Sequence, residues 1–342
     1  MIELDEKVTS EMNKNSVWLD GIIGVATGDA LGLPVQFKMR DELMKSPVTE
    51  MIEADMFRAP KGTWSDDTSM TLAILDSLID CKEVDAKDIM DRFVSWLFDS
   101  DYCALDIAID IGTTCGISIE KYKESGNILI CGKIGEMANG NGSLMRTMPL
   151  SLYYALRVLE GWLSVDFAIK GIHSVSKLTH NHPRACIACG LHFFCTKAIL
   201  SGGGDLKSLL QKGIYEGFMY YKEKEEYLQD LLYYKRVLDI EEFKKTPVED
   251  IASSGYVLDT FEAAIWGLVN THNYRDAMIK VVNLGDDTDT VGAVAGGLAG
   301  LYYGFDSIPE EWVSVLRKID YLKNMCSKAE DTFDTLYGKT VR

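Results

Sequence analysis

The chain has 342 residues, 47% of them hydrophobic, enough to bury a substantial core as one large domain or two ordinary ones. Lysine plus arginine number 35 against 52 aspartates and glutamates, a formal charge of −17 that repels phosphate backbones. Nucleic-acid binding through a broad basic face is therefore excluded, whereas a metal cofactor, which neutralises acid locally, is compatible. The first fifteen residues, MIELDEKVTSEMNKN, read as a polar N-terminal extension without the apolar segment of a secretory signal. The longest uncharged stretch, Thr290 to Phe305, is too short and glycine-rich to span a bilayer comfortably. Only Cys186 and Cys189 among eight cysteines have C-x-x-C spacing, and they sit in an apolar run, as buried thiols in a reducing compartment do. These features predict a cytoplasmic protein that binds neither membrane nor nucleic acid.

In chain order, helical periodicity dominates. Trp18, Ile22, Val25 and Ala26 share a face, as do Met70, Ile74 and Leu78, then Ile89, Phe93 and Leu97, then Val165, Ile169, Ile172 and Val175. Further helices are predicted near 110–123, 183–200, 205–221, 224–238, 256–270, 273–283, 290–303 and 309–323. NILIC at 127–131 is the best strand candidate. The charged segment around 224–238 reads as part of a surface helix pair. Nothing divides the chain, so the expectation is an all-α fold of one domain over 1–342.

Gly292, Gly296, Gly300 and Gly304 recur every four residues. Each weakens a helix by about 0.8–1 kcal/mol relative to alanine. Close approach of a second backbone would compensate, and would hold the start of this helix near the centre of the molecule.

That helix starts with Asp286, Asp287, Thr288, Asp289 and Thr290, and a second helix starts with Ser65, Asp66 and Asp67. Capping explains one oxygen at each start, worth about 0.5–2 kcal/mol. If the two starts converge, each like-charge pair at about 4 Å costs on the order of 4 kcal/mol at an effective dielectric of about 20. Divalent cations reverse that sign. Carboxylate and hydroxyl oxygens suit Mg²⁺, Mn²⁺ or Ca²⁺, and no cysteine or histidine joins either cluster. An EF-hand fails, since the twelfth position from Asp287 is Leu298.

Six segments in order resemble the ADP-ribosylglycohydrolase family: GVATGDALGLPVQF (24–37), GTWSDDTSMTLAIL, NGNGSLMRTMPL (139–150), LTHNHPRA (178–185), SSGYVLDTFEAAIWGL (253–268) and VVNLGDDTDTVGAVAGGLAGLYYG (281–304). The resemblance implies a compact orthogonal helical bundle that removes ADP-ribose from a modified protein or a small conjugate, with ADP-ribose as product. It implies two Mg²⁺ or Mn²⁺ ions held by Ser65, Asp66, Asp67, Asp287, Asp289 and Thr290, with Asp66, Asp67 and Asp289 also serving catalysis. Asp286 stands where the family usually has glycine and is not counted. Amides of Gly140, Gly142 and Ser143 would cradle the diphosphate, and Asn141, His180 and Tyr256 would contact substrate. Arg146 is read either as a phosphate partner or as half of an internal salt bridge.

Gln36 departs from the family pattern, which commonly has glutamate there. An amide cannot take a proton, so water activated at the metal site, Asp29 or Asp110 would serve as base. Asp110 resembles the aspartate that faces the guanidinium in arginine-directed members; its alternative is to cap the helix that follows. Two functions stay open: a hydrolase acting on ADP-ribosyl-arginine, or a catalytically silenced ADP-ribose-binding protein that lost its base at Gln36.

Overall fold

The computed structural model describes residues 16–337, so the polar extension at 1–15 lies outside the described residues. The helices are α1 (Val17–Gly32), α2 (Arg40–Lys45), α3 (Asp66–Cys81), α4 (Ala86–Asp99), α5 (Thr113–Ser125) and α6 (Ile128–Cys131). Next come α7 (Met148–Leu159), α8 (Val165–Ser176), α9 (Pro183–Ser201), α10 (Leu206–Lys222), α11 (Leu228–Leu231) and α12 (Ile240–Phe243). The last are α13 (Val257–Val269), α14 (Tyr274–Val282), α15 (Thr288–Tyr303), α16 (Glu310–Val313) and α17 (Ile319–Tyr337). No strand occurs among the described residues, and the fold is all-α. One core cluster runs from Trp18 in α1 to Phe333 in α17.

The glycine stripe packs as its spacing requires. A Cβ added at Gly24, Gly28 or Gly32 would lie 2.3, 2.0 or 2.3 Å from the carbonyl oxygen of Gly296, Gly292 or Thr288. The pairing is reciprocal: at Gly292, Gly296 and Gly300 it would lie 2.4, 2.3 and 2.2 Å from the oxygens of Gly28, Gly24 and Asp20. Helices α1 and α15 therefore run antiparallel with their backbones in contact. Gly304 leaves the stripe, ending α15 with a φ of 83°. The consequence for function is geometric: the C-terminal end of α1, with Asp29, lies beside the N-terminal end of α15, with Asp289.

Helix α3 is brought to the same place by the turn before it. Gly62, at φ 78°, has no room for a Cβ, which would lie 2.0 Å from the oxygen of Val315. Its carbonyl accepts from the Arg317 amide at 2.8 Å, and the Trp64 indole donates to the Arg317 carbonyl at 2.9 Å. This clasp also explains why the predicted helix at 309–323 is broken. It splits into α16 and α17, with Lys318 left-handed between them.

Three other expectations are corrected. Residues 127–131 form the short helix α6, whose first turn is capped by Asn127 accepting from the Leu129 amide at 2.9 Å. Leu129 and Ile130 are exposed, and only Cys131 is buried, so no two-residue alternation is satisfied. The segment at 224–238 is not one helix but α11 flanked by 3-10 turns at Glu225–Tyr227 and Leu232–Leu238. Its buried residues, Leu231, Tyr234 and Val237, recur every three positions, the period of a 3-10 helix and not 3.6. The helix predicted from 110 begins only at Thr113. Helix α9 is long and apolar enough to cross a membrane by composition, but 78% of that stretch is buried inside the protein.

Candidate active site

The first acidic cluster is not used as ordinary caps. Asp29, reaching across from α1, accepts from the Ser65 amide at 2.9 and 3.0 Å through its two oxygens. It also accepts from the Thr68 amide at 3.1 Å and the Thr68 hydroxyl at 2.6 Å. The free amides at the start of α3 are thus satisfied from another helix. Ser65 adds a long contact from the Asp67 amide at 3.3 Å and donates its hydroxyl to Asp67 Oδ2 at 2.9 Å. Asp66 and the remaining oxygen of Asp67 are free of capping duty. At the second cluster Asp287 is the N-cap residue of α15, but its carboxylate makes no capping bond. Instead Asp287 Oδ2 accepts from Asn141 Nδ2 at 2.6 Å, and Asn141 also donates to Thr260 at 2.9 Å.

The two clusters meet. Oxygens of Asp29, Asp67 and Asp289 lie within 4.8 Å of one another, and all three residues are buried. Oδ1 of Asp67 and both carboxylate oxygens of Asp289 are buried with no hydrogen-bond partner among the described residues. Burial, reinforced by neighbouring carboxylates, holds Asp66, Asp67 and Asp289 well above the usual carboxylate range. Burial also raises Asp287, and lifts Asp29 to about 7 despite four hydrogen bonds that favour its charge. Stranded carboxylate oxygens in a dry site are costly unless a cation accompanies them. The donor set is all hard oxygen, which fits Mg²⁺ or Mn²⁺.

A cleft of about 320 Å³ opens against this cluster, lined among others by Asp66, Asp287, Thr290, Gln36, Asp110 and His180. Asp67, Asp289 and Ser65 do not line it; they are fully buried beside it. Asp110 lies at φ 54° and accepts from Gln36 Nε2 at 2.7 Å. The capping alternative for Asp110 fails, because the residue preceding α5 is Gly112 and no side chain caps that helix.

Asn141 and Gly142 line the cleft, and no protein group accepts the Gly142 or Ser143 amide among the described residues. Two side chains of substrate-side residues point away from the cleft. The Ser143 hydroxyl turns away, accepting from Ser176 at 2.9 Å, because α8 and α9 close over that side of the loop. The Tyr256 ring does not line the cleft; its hydroxyl accepts from Arg184 at 3.3 Å. What Tyr256 brings to the site is main chain, in a bridge with Gly140. Arg146 forms no salt bridge among the described residues. It is buried, donates to the Gly142 carbonyl at 2.6 Å and Thr179 Oγ1 at 2.7 Å, and so ties the loop to the Thr-His segment.

That tie sets the histidine. Thr179 accepts from Arg146, which always donates, so its own hydroxyl proton is available to His180 Nδ1 at 2.8 Å. Burial lowers His180 to about 3, keeping it neutral. Its remaining N–H, at Nε2, points toward Gly140 and Gly142.

Periodicity gave no sign of Phe37 and Ile111, which line the cleft while 59% and 43% exposed. Phe37 and Asp286 are both left-handed, at φ 65° and 63°. The Phe37 amide donates to the Asp286 carbonyl at 2.7 Å, and the Asp286 amide donates to the Lys38 carbonyl at 2.9 Å. The backbone at Asp286 explains why a glycine suits that position, since aspartate is among the few other residues that visit this region readily.

The sequence profile of the ADP-ribosylglycohydrolase family matches residues 13–339. The chain belongs to the ADP-ribosylglycohydrolase family. It is 29% identical over 307 residues to ADP-ribosylarginine hydrolase Tri1 of Serratia proteamaculans (strain 568), covering 90% of this chain and 77% of that one. It is 30% identical over 302 residues to ADP-ribosyl-[dinitrogen reductase] glycohydrolase of Rhodospirillum rubrum, covering 87% and 89%. A solved structure titled ADP-ribosylglycohydrolase-related protein complex superposes with a TM-score of 0.74 at 28% identity, covering 93% of this chain and 98% of that one.

Proposed function

We propose that this glycohydrolase-family member is a divalent-metal-dependent hydrolase that cleaves the bond between the anomeric carbon of ADP-ribose and an arginine side chain on protein. Removal of ADP-ribose is the activity its family and named relatives share. The observation that carries the metal dependence is the set of partnerless, buried oxygens on Asp67 and Asp289 beside a cleft. Asp66, Asp67, Asp287, Asp289 and Thr290 would hold Mg²⁺ or Mn²⁺, with Ser65 orienting Asp67 and Asp29 fixing the start of α3. Bound there, the cations would supply positive charge to ribose hydroxyls and acidify a water.

The protein's own groups account for the rest. The Gly142 and Ser143 amides offer donors for the diphosphate. Asn141 is fixed by Asp287 and Thr260, and His180 presents a neutral N–H donor. Asp110 sets a carboxylate against a cationic leaving group. In the reaction a water oxygen bonds to the anomeric carbon, whose charge builds as in other glycoside cleavages. The C–N electron pair stays on nitrogen, so a guanidinium departs as neutral guanidine and then takes up the proton released by water. Arginine and ADP-ribose result.

Gln36 keeps the silenced-binder reading in view, and one assay separates the two. Release of ADP-ribose is measured from arginine-, serine- and nucleobase-linked conjugates with Mg²⁺ or Mn²⁺. The expected result is turnover, with kcat/KM for the arginine conjugate at least about tenfold above the others, a gap of about 1.4 kcal/mol. Tight ADP-ribose binding without turnover of any conjugate would establish the silenced binder instead.

A further inference from the structure

We infer that exposed apolar side chains on three loops bordering the cleft form the docking surface for the protein that carries the ADP-ribosyl group, and that this surface favours a modified arginine flanked by apolar residues. The inference rests on the reading that ADP-ribose is removed from arginine on protein, and names the chemistry of the carrier around it.

Each loop supplies both a wall of the cleft and an apolar side chain outside it. The first carries Phe37, which lines the cleft, and Met39; the second carries Ile111, which lines it, and Ile107. The third runs from Lys133, in a bridge with His180, to Gly140, and carries Ile134 and Met137. Met39, Ile107, Ile134 and Met137 are 66%, 60%, 72% and 77% exposed, and none of them lines the cleft. Single exposed apolar residues are ordinary on a protein surface, but a set gathered on the loops around one opening marks an interaction site. The loops meet their own packing needs with other residues. Leu105 and Ile109, on either side of Ile107, pack against Leu33, Ala54 and Ala59, and Ala138 beside Met137 is buried.

Two of the loops are also pinned by backbone. Phe37 is left-handed, a costly state for a bulky side chain, and the paired amide bonds with Asp286 and Lys38 hold it there. The Lys133 amide donates to the Thr179 carbonyl at 2.9 Å, and the Asn181 amide donates to the Lys133 carbonyl at 2.9 Å. A surface fixed before binding loses less entropy on association. The occupant follows from size. At about 320 Å³ the cleft is at the small end of ligand sites, with room for a sugar nucleotide and not for a polypeptide. An extended arginine side chain reaches only about 7 Å from its Cα to the end of its guanidinium, by ordinary bond lengths. With the modified nitrogen in the cleft, the residues flanking that arginine must therefore lie against these loops.

The test compares wild type with the triple variant Ile107→Ser, Ile134→Ser, Met137→Ser, whose three sites are exposed and outside the cleft, so that helical content and thermal midpoint should be those of wild type. Three substrates are used: free ADP-ribosyl-arginine, a peptide with the modified arginine between leucines and phenylalanines, and a peptide with it between glycines and serines. Wild type is expected to show kcat/KM about tenfold or more higher for the apolar-flanked peptide, mainly through KM, the effect of burying an apolar side chain or two. In the triple variant that ratio is expected to fall to within about twofold of unity, while free ADP-ribosyl-arginine is hydrolysed within about twofold of the wild-type rate. Equal kcat/KM for the two peptides in wild type, or the same ratio in the variant, overturns the inference. So does an equal fall on free ADP-ribosyl-arginine, which would mean that the loops shape the cleft and do not dock the carrier. Loss of a wild-type dimer in the variant, with the peptide ratio unchanged, overturns it in favour of a second copy of the chain. Wild type inactive on all three substrates but active on serine-linked ADP-ribose overturns the arginine reading, and the inference in its arginine form with it.

Discussion

Asp289→Asn is expected to cut turnover by on the order of 10³-fold or more while helical content stays that of wild type. Both Asp289 oxygens are buried with no hydrogen-bond partner among the described residues, so no fold-holding hydrogen bond is lost with their charge. The amide keeps the shape but removes the negative charge that would hold a cation. The same substitution is expected to stabilise the metal-free protein, because it takes one of three crowded carboxylates out of a dry site. The pH trend follows from the raised pKa values. Asp29 moves from 3.8 to about 7, and Asp67 and Asp289 are raised too. In that window the folded state binds more protons than the unfolded one. The contribution of Asp29 is thus fully present below the unfolded value near 3.8 and is lost as pH rises through about 7, and those of Asp67 and Asp289 decline in the same direction. Thermal unfolding of chelator-treated wild type should show this decline, and Asp289→Asn should flatten it. An active Asp289→Asn enzyme, or a variant that no longer folds, would remove the argument that this carboxylate serves chemistry and not structure.

Gly28→Ala is expected to destabilise by about 3 kcal/mol or more, or to prevent folding. The added methyl would lie 2.0 Å from the Gly292 carbonyl oxygen and 2.4 Å from its carbonyl carbon. Both are backbone, so no side chain can turn aside, and α1 and α15 must separate. Separation would also move Asp29 away from Asp289, so cation binding should weaken together with stability. Gly204→Ala is the control: its new methyl meets nothing closer than 3.6 Å, and its expected effect lies within about 0.5 kcal/mol. Chemical denaturation distinguishes the two, and equal midpoints would show that the close approach of these helices is not needed.

The parts of the molecule legible in the sequence are those governed by a strong local rule. Glycine every fourth residue demands a backbone partner, and α1 supplies it. Two carboxylates at a helix start exceed what capping needs, and the surplus Asp66 faces the cleft. What escaped depended on contacts remote in sequence. Asp29 reads as a candidate base in a glycine-rich helix; only the fold shows that it caps α3 from 36 residues away. The Tyr256 ring and the Ser143 hydroxyl sit in site-like segments but turn to Arg184 and Ser176, a matter of side-chain direction that spacing does not encode. Leu228, Leu231, Leu232 and Tyr234 suit a helix, whereas the buried set is Leu231, Tyr234 and Val237, and a three-residue period differs little from 3.6 over so short a run.

Titration of chelator-treated protein with Mn²⁺, followed by the loss of the free-ion electron paramagnetic resonance signal, tests whether the acidic cluster holds divalent cations. Saturable binding of one or two ions, displaced by Mg²⁺ and abolished in Asp289→Asn, is expected. Mn²⁺ that stays free in wild type, or binds equally well to Asp289→Asn, would contradict it.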